Sequence, residues 1–443
     1  MMKKLKYIAK FLVFIILLAI IVLVTSNILE RKYSIKKNKV FFDEEMNYDV
    51  FFMGTSHVVY GVSPLELYKS YGITSYNLAN YSSYMAVTYW TLLNAMNYHT
   101  PKLVVVDLYT LYQDKKFSPN IDFAHNTFDA YPLTYTKYNA VKDLFVDSED
   151  KVEMLFPFVK YHSRWNEITS EDFAKGGNYN AGFEIYTKVF AYAKDTDIPD
   201  KDVLPDDYTV SMIYLEKIIE YCNERNIEIL LCNIPYLGQT ERQVYNNYGY
   251  VMSEKYDINY IDLAKCEDLI NYDTDFYDKS GHLNVSGAVK VTGELGRYIK
   301  EHYNIVDVRT TDDAGAWNDY YELYLKSYVD NMQAKNSADD YLMMLNNVNL
   351  EADIYLNCDV TREDEPLLFK LIDNLNGDTW VNCSHHVHGP LLFPCSLPMP
   401  LCLAFSYITF AISLPNNPLT PVIKIVMTHL RILDKVNMTW RIL

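Results

Sequence analysis

The stretch Asp49-Val50-Phe51-Phe52-Met53-Gly54-Thr55-Ser56-His57 carries a short apolar run directly into a glycine, two hydroxyl residues and a histidine. A short apolar run bounded by turn residues is typical of a strand that is buried on both faces of a sheet. Gly54 allows the backbone to turn sharply at that point. Ser56 is therefore predicted at the carboxyl end of a strand, the edge where open α/β sheets bind their ligands.

Short apolar strands continue to alternate with amphipathic helices through residue 305. The pattern predicts strands over residues 49–53, 74–78, 103–106, 227–234 and 259–263, and helices over residues 64–71, 84–98, 210–226 and 285–302. Apolar strands separated by helices indicate an α/β domain, residues 49–305, with a parallel sheet covered on both faces. Five strands favour a flavodoxin-like doubly wound order. Residues 110–205 are too long for a plain connection and predict an insertion that caps one edge of the site.

The N-terminal part of the chain is predicted to lie in a membrane. Residues 11–29 hold no charge, and at about 1.5 Å per residue a helix of them spans a hydrocarbon core about 30 Å thick. No cleavage site of the A-x-A type is visible. We interpret residues 1–30 as a cytoplasmic stub and an uncleaved signal anchor, residues 31–48 as a juxtamembrane stalk, and the globular part as extracytoplasmic. The alternative is a buried helix of a soluble protein.

The composition changes twice after residue 305. Residues 306–378 are acidic and partly helical, around residues 317–332 and 339–345, and predict a small α+β appendage. Residues 379–443 hold one acidic residue, Asp434, and seven of the 16 prolines. We interpret this tail as the product of a frameshifted or misassembled 3′ end. A second membrane segment around residues 401–414 is the alternative.

Charge and motifs exclude several classes of function. The formal charge is −17, whereas nucleic-acid binding needs a basic face. The seven cysteines form no C-x-x-C pair and no metal-type spacing, and neither a P-loop nor a G-x-G-x-x-G motif is present. The sequence therefore predicts no metal and no organic cofactor.

A second segment, Asp278-Lys279-Ser280-Gly281-His282-Leu283-Asn284, stands between the fifth predicted strand and the last helix. A serine nucleophile needs a neighbouring base, and the pKa of imidazole suits that work near neutral pH. A loop after a parallel strand reaches the same edge as Ser56, and Asp278 can orient His282 from its second ring nitrogen. The sequence thus predicts a Ser-His-Asp triad. The alternative is that Ser56 caps a helix and residues 278–284 form a surface loop.

The blocks Gly54-Thr55-Ser56-His57 and Asp278…His282-Leu283-Asn284…Gly287 resemble those of the SGNH/GDSL hydrolases. The chain looks most like the membrane-anchored branch related to the D-alanyl transfer protein DltD and to polysaccharide O-acetylation proteins, over residues 45–305 and the anchor. The resemblance implies Ser56 as nucleophile, His282 as base and Asp278 as its orienter, with backbone oxyanion donors at Ser56 and Ala79. It also implies a membrane-bound O-acyltransferase as partner, and a cell-envelope polysaccharide or an acylated small carrier as substrate.

Three positions depart from the family pattern. The usual last block is D-x-x-H, whereas Asp278 lies four residues before His282, so that Asp275 is a second candidate. Ala79 stands in place of the second-block glycine, and Asp107-Leu108-Tyr109 stands where a third-block asparagine is usual. The expected function is a serine acyl-esterase or O-acyltransferase. The departures motivate the alternative of a catalytically decayed scaffold that positions the membrane-bound acyltransferase.

Further polar residues are predicted to line the substrate cleft. They are His57, Asn80, Tyr109, His162, Arg164 and Asn233. Arg164 and the neighbouring Trp165 belong to the insertion and would place a guanidinium and an indole over the cleft, a pair suited to an anionic or sugar substrate. An ordinary ion pair with a packing aromatic is the alternative.

Overall fold

The computed structural model describes residues 2–30, 32–43, 46–173, 180–194 and 198–333, together with six short strands in the remainder of the chain. The chain divides into two compact units. The first holds residues 1–184, 194–269 and 291–324, and the second holds residues 185–193, 270–290 and 325–443.

The first unit is built on a five-stranded sheet. Its strands are β1 Val50–Met53, β2 Ser75–Asn77, β3 Leu103–Asp107, β4 Glu228–Asn233 and β5 Asn259–Asp262. They lie in the order β2-β1-β3-β4-β5, and every pair is parallel. The predicted five-stranded parallel sheet is confirmed. Because all five strands run the same way, their carboxyl ends share one edge, and the direction of the chain across the sheet reverses between β1 and β3.

The helices follow the predicted alternation and add several that the pattern did not predict. Their bounds are α1 Met2–Leu29, α2 Lys32–Asp43, α3 Ser56–Gly61, α4 Pro64–Tyr71, α5 Met85–Ala95, α6 Ile121–Phe128, α7 Tyr135–Leu144, α8 Ser148–Leu155, α9 Phe158–Tyr161, α10 Val210–Asn223, α11 Gln239–Asn246, α12 Tyr248–Tyr256, α13 Val285–His302 and α14 Ala314–Gln333. Helices α4 and α13 match their predicted bounds residue for residue. Helices α6 to α9 lie in the predicted insertion.

Helices cover the sheet on two sides. The crossover from β1 to β2 runs opposite to the other three, so right-handed connections place α4 on one face and α5, α10 and α12 on the other. The contacts agree, since α5 packs on α10. Tyr71 of α4 donates its hydroxyl to the carbonyl of Gly293 in α13 at 2.9 Å.

Helix α1 contains residues 6–29, a stretch with a mean hydropathy of 3.0 that is long and apolar enough to cross a membrane. Its last residue, Leu29, is buried, and this end of α1 contacts α9. The predicted stalk contains helix α2, where Lys37, Asn38, Val40 and Phe41 are all buried. This part of residues 31–48 is therefore packed into the first unit rather than extended.

The second unit contains a six-stranded sheet. Its strands are β6 Asp353–Leu356, β7 Thr379–Ser384, β8 Pro390–Pro394, β9 Phe410–Ser413, β10 Ile423–Arg431 and β11 Lys435–Ile442. They lie in the order β11-β10-β9-β6-β7-β8, and only the β6–β7 pair is parallel. The helix predicted over residues 339–345 lies outside the described residues. So does most of the alternative membrane segment around residues 401–414, of which residues 410–413 form β9.

Candidate active site

Ser56 is the first residue of α3 and follows the carboxyl end of β1. The four residues of β1 are buried, whereas Ser56 is half-buried. Gly54 makes the turn between them with a φ of +153°, and a Cβ there would lie only 2.6 Å from Cγ2 of Val58 and 3.1 Å from Cβ of Asp107. Glycine is therefore required at this turn, and the turn brings the serine to the edge of the sheet.

The loop after β2 packs against the same turn. Asn80 donates its backbone N–H to the carbonyl of Gly54 at 3.2 Å. Asn77 donates its side-chain amide to two carbonyls near the end of α3, at 2.7 and 2.9 Å, and so holds the helix that begins with Ser56. The N–H of Ala79, the predicted oxyanion donor, donates to Oδ1 of Asn77 at 3.3 Å. Ala79 thus lies at this edge, but its N–H is used within its own loop.

Two residues of helix α2 form hydrogen bonds with the loop that follows β2. Nζ of Lys37 donates to the carbonyls of Asn77 and Ala79 at 3.0 and 2.5 Å. The next residue, Asn38, donates its side-chain amide to Oδ1 of Asn80 at 2.6 Å. Two consecutive residues of the segment that follows α1 therefore fix the loop beside the serine.

Lys37 is a buried cation with a nearby carboxylate. Burial lowers the pKa of Lys37 to about 7, although the carboxylate of Glu184 opposes that shift. Burial likewise raises the pKa of Glu184, against a hydrogen bond from Tyr81 and the charge of Lys37. The charge state of Lys37 therefore changes near neutral pH.

Asp107 is the last residue of β3 and the first of the stretch Asp107-Leu108-Tyr109. It is buried, and its Oδ1 accepts the N–H of Ile234 at 3.0 Å while Oδ2 accepts the N–H of Tyr109 at 3.3 Å. Burial raises the pKa of this carboxyl to about 7, although the N–H groups favour its charged form. Asp107 therefore fixes the loops that leave β3 and β4.

Aromatic rings cover the edge next to the serine. The ring of His57 is buried and lies 3.8 Å from that of Tyr109, centroid to centroid. Tyr109 in turn meets Tyr236 edge to face at 4.8 Å. Arg242 of α11 donates to the hydroxyl of Tyr109 and lies over its ring. His57 and Tyr109 thus lie at the predicted edge and pack against each other.

A buried amide network holds the ends of β4 and β5. Asn233 donates to Oδ1 of Asp262 at 2.8 Å, and Gln243 donates to Oδ2 of the same carboxylate at 2.7 Å. Asn246 donates to Oδ1 of Asn233 at 3.0 Å and to the hydroxyl of Tyr236 at 2.9 Å. Asn233, predicted to line the cleft, is fully buried in this network. It positions α11 rather than forming a cleft wall.

In the second unit, the segment around Asp278 pairs the predicted carboxylate with the predicted base. Nδ1 of His282 lies 2.8 Å from Oδ2 of Asp278, and Oδ1 of Asp278 accepts the backbone N–H groups of Ser280 and His282 at 3.0 and 3.2 Å. Partial burial opposes ionisation of Asp278, but these hydrogen bonds outweigh it and hold its pKa below the usual value. Gly281, with a φ of +77°, adopts the left-handed conformation in the loop that joins Asp278 to His282, four residues later.

Asp275, the second candidate for the carboxylate, has other partners. It is fully buried and accepts hydrogen bonds from Lys290 at 2.6 Å, Ser286 at 2.7 Å and the N–H of Asn271 at 2.7 Å. It therefore fixes the start of α13, and Asp278 is the residue that orients His282.

Of the insertion residues His162, Arg164 and Trp165, which the sequence predicts over the cleft, Arg164 contacts the end of α1. Arg164 donates to the carbonyl of Leu29 at the end of α1 and pairs with Asp172 at 3.2 Å. Trp165 is 72% exposed and His162 is exposed as well. The guanidinium of Arg164 therefore links the insertion to α1 and forms an ion pair with Asp172, as the alternative interpretation of Arg164 expects.

The predicted residues thus fall into two groups. The first unit brings six of them to or beside the carboxyl edge of its sheet: Ser56, His57, Ala79, Asn80, Tyr109 and Asn233. The second unit pairs Asp278 with His282. Residues that the sequence did not predict, and that shape the edge, are Lys37, Asn38, Asn77, Asp107 and Arg242.

No group of three His, Cys, Asp or Glu side chains that could hold a metal ion occurs within the described residues. The chain matches no protein-family model, and no curated protein is significantly similar to it. Any function must therefore be argued from the residues themselves.

Proposed function

We propose that this protein is a membrane-anchored serine acyl-esterase or O-acyltransferase of the SGNH type that acts on a cell-envelope polymer. Ser56 is the proposed nucleophile, His282 the general base and Asp278 its orienter. The proposal requires Nε2 of His282 to reach Oγ of Ser56.

The observation that carries the proposal is the 2.8 Å contact between Nδ1 of His282 and Oδ2 of Asp278. A carboxylate on Nδ1 fixes the tautomer that presents Nε2 as the proton acceptor, and it stabilises the imidazolium that forms during the reaction. The low pKa of Asp278 keeps that carboxylate charged at neutral pH. A His–Asp pair of this kind can act as the general base that takes the proton of a serine hydroxyl.

The first unit supports the choice of Ser56. The strand order 2-1-3-4-5 is that of flavodoxin-like sheets, whose ligands bind at the switch point between β1 and β3. Only Gly54 and Thr55 separate Ser56 from β1, and a Cβ added at Gly54 would lie 3.1 Å from Cβ of Asp107 at the end of β3. This is the topology expected of an SGNH-type domain.

The reaction follows from these roles. Oγ of Ser56 attacks the acyl carbonyl while His282 takes the serine proton, and the tetrahedral intermediate expels the leaving group as His282 returns that proton to it. Water or a polymer hydroxyl then attacks the acyl-serine and gives its proton to His282; the second tetrahedral intermediate breaks the bond from the acyl carbon to Oγ, and His282 returns the proton to Oγ. The backbone N–H of Ser56 is assigned to the developing oxyanion.

A second candidate is a catalytically decayed scaffold that positions a membrane-bound O-acyltransferase. It is favoured by the N–H of Ala79 being bound to Asn77, and by Asp107 being committed to backbone N–H groups. Loss of a single oxyanion donor costs about 10²–10³ in turnover. In either case we propose that α1 anchors the chain with its folded part outside the cytoplasm, beside such a partner.

The test is labelling of the full-length protein in detergent with a fluorophosphonate, which reacts with activated serines. We expect one adduct, at Ser56, and none in Ser56→Ala. His282→Gln and Asp278→Asn should slow labelling by about 10²–10⁴-fold, the usual contribution of a general base. Ser280→Ala, which removes an exposed hydroxyl from the same loop as the histidine, is the matched control and should label normally.

Absence of an adduct on folded protein refutes the enzymatic proposal. The scaffold is then tested in cells by comparing polymer acylation in Ser56→Ala with that after deletion of residues 1–30. Loss of acylation in the deletion alone supports the scaffold, and unchanged acylation in both variants overturns it.

A further inference from the structure

We propose that Arg242, with the rings of Tyr109 and Tyr112, forms a subsite for an anionic group, a carboxylate or a phosphate, on the polymer or acyl carrier. The inference rests on the proposed function, because it names the substrate class of the same site. It is carried by the guanidinium of Arg242, which lies at the sheet edge and forms no ion pair with a carboxylate of the described residues.

Among the described residues, the structure places Arg242 next to two tyrosine rings and one hydroxyl acceptor. It donates to the hydroxyl of Tyr109, and its Cζ lies 4.8 Å from the ring centroid of Tyr109 and 4.6 Å from that of Tyr112. A guanidinium has five N–H donors in a planar fork that matches carboxylate and phosphate oxygens. Within the described residues, no carboxylate forms an ion pair with Arg242. The chain has a net charge of −17, so acidic residues that could pair with Arg242 are plentiful in the sequence.

Hydrogen bonds of neighbouring residues in α11 fix the position of Arg242. Its neighbour in sequence, Gln243, donates to Asp262, and Asn246 donates to Asn233, so both ends of the helical turn are bound to the buried ends of β4 and β5. A side chain held in this way loses less rotamer entropy when it binds a ligand. The half-buried guanidinium is thus preorganised.

The subsite lies close to the nucleophile. Ser56 is followed by His57, whose ring lies 3.8 Å from that of Tyr109, and Tyr109 is the residue that Arg242 covers. A charged group bound at Arg242 would therefore belong to the molecule that reacts at the serine.

The test measures binding without catalysis. Full-length Ser56→Ala in detergent is titrated calorimetrically with three probes: an oligogalacturonate for the carboxylate, a phosphorylated maltohexaose for the phosphate and maltohexaose as the neutral comparison. We expect at least one anionic probe to bind more tightly than the neutral one. Arg242→Gln should weaken that binding by about 10–100-fold, since a hydrogen bond to a charged group contributes about 1.5–3 kcal/mol. Whichever anionic probe shows this dependence identifies the chemistry.

Arg225→Gln is the matched control, because Arg225 also lies over a tyrosine ring, at 3.7 Å from that of Tyr221, but pairs with Glu224. It should leave binding unchanged. Equal affinity for all three probes, or an equal effect of Arg242→Gln on charged and neutral probes, overturns the subsite. If Arg242→Gln does not fold, the salt dependence of binding to the Arg242→Lys variant decides: anionic binding that salt does not weaken also overturns it. These readouts do not depend on fluorophosphonate labelling, so the subsite and the nucleophile can fail separately.

Discussion

Replacing Lys37 by Met removes a buried ammonium and keeps an unbranched side chain. Lys37 is 1% exposed, and burial lowers its pKa from 10.5 to about 7. Each pKa unit corresponds to about 1.4 kcal/mol, so the protonated side chain destabilises the folded state by about 5 kcal/mol relative to the neutral one. The unfolded chain binds the proton more tightly, so this penalty is complete below about pH 7 and fades as the pH rises toward 10.5.

Met carries no such penalty but leaves the carbonyls of Asn77 and Ala79 without their donor, at about 1–3 kcal/mol each at every pH. Near pH 6 the loss of these bonds is offset by relief of about 5 kcal/mol, whereas near pH 9 the relief has fallen to about 2 kcal/mol. The variant should therefore lose about 3 kcal/mol more stability near pH 9 than near pH 6.

The assay is urea unfolding of the full chain in detergent, followed by tryptophan fluorescence at both pH values. Lys102→Met is the matched control, because Lys102 is half-exposed and forms a surface pair with Asp49 at 3.0 Å, and such pairs contribute about 0–1 kcal/mol. If Lys37→Met changes the free energy of unfolding by the same amount at both pH values, within about 0.5 kcal/mol, the reasoning about the buried charge is refuted.

Gly54→Ala should lower the free energy of unfolding by at least about 1–3 kcal/mol and abolish labelling of Ser56, because the added Cβ would lie 2.6 Å from Val58. The control Gly293→Ala, whose Cβ would have no atom within 4 Å, should instead raise the free energy of unfolding by about 0.5–1 kcal/mol. Equal effects of the two changes in urea unfolding would contradict the argument. Asp107→Asn tests a buried carboxyl whose pKa is raised to about 7. The folded chain keeps a proton there that the unfolded chain releases above about pH 4, so wild-type stability falls as the pH rises through that window. The variant should gain stability relative to wild type from about pH 4 to about pH 7 in the same unfolding assay, and parallel pH profiles would show that Asp107 does not titrate there.

The sheet and its main helices could be predicted from the sequence because burial alone determines them. The run at residues 50–53 is buried on both faces, which leaves an uninterrupted apolar pattern, and helix α13 alternates apolar and polar residues at helical spacing. The pairing of Asp278 with His282 could be predicted as well, since it is local and four residues apart. Short-range and purely apolar features leave a clear pattern in the chain.

Polar burial leaves no such pattern. Residues 31–48 contain several lysines after the apolar helix, and the sequence predicts a juxtamembrane stalk there. Lys37 is nevertheless buried, because its ammonium donates to two carbonyls and interacts with the charge of Glu184. Helix α11 is polar apart from Val244 and Tyr245, and the amides of Gln243 and Asn246 form the hydrogen bonds that determine its buried face. The contact of Arg164 with the end of α1 could not be predicted, because a sequence does not say where an insertion packs on its own domain.

The polar groups of the carboxyl edge divide by solvent access. Asn77, Asp107, Asn233 and Asp262 are buried, and a buried polar group must find its partner within the chain in every molecule, whether or not a ligand is present. They bind backbone and each other, and their loss should reduce stability. Ser56 and Arg242 are half-buried, so water reaches them in the free protein and a ligand can replace that water at little cost. If the proposed roles are right, changing Ser56 or Arg242 should abolish function without loss of stability, whereas changing the buried polar residues should reduce stability.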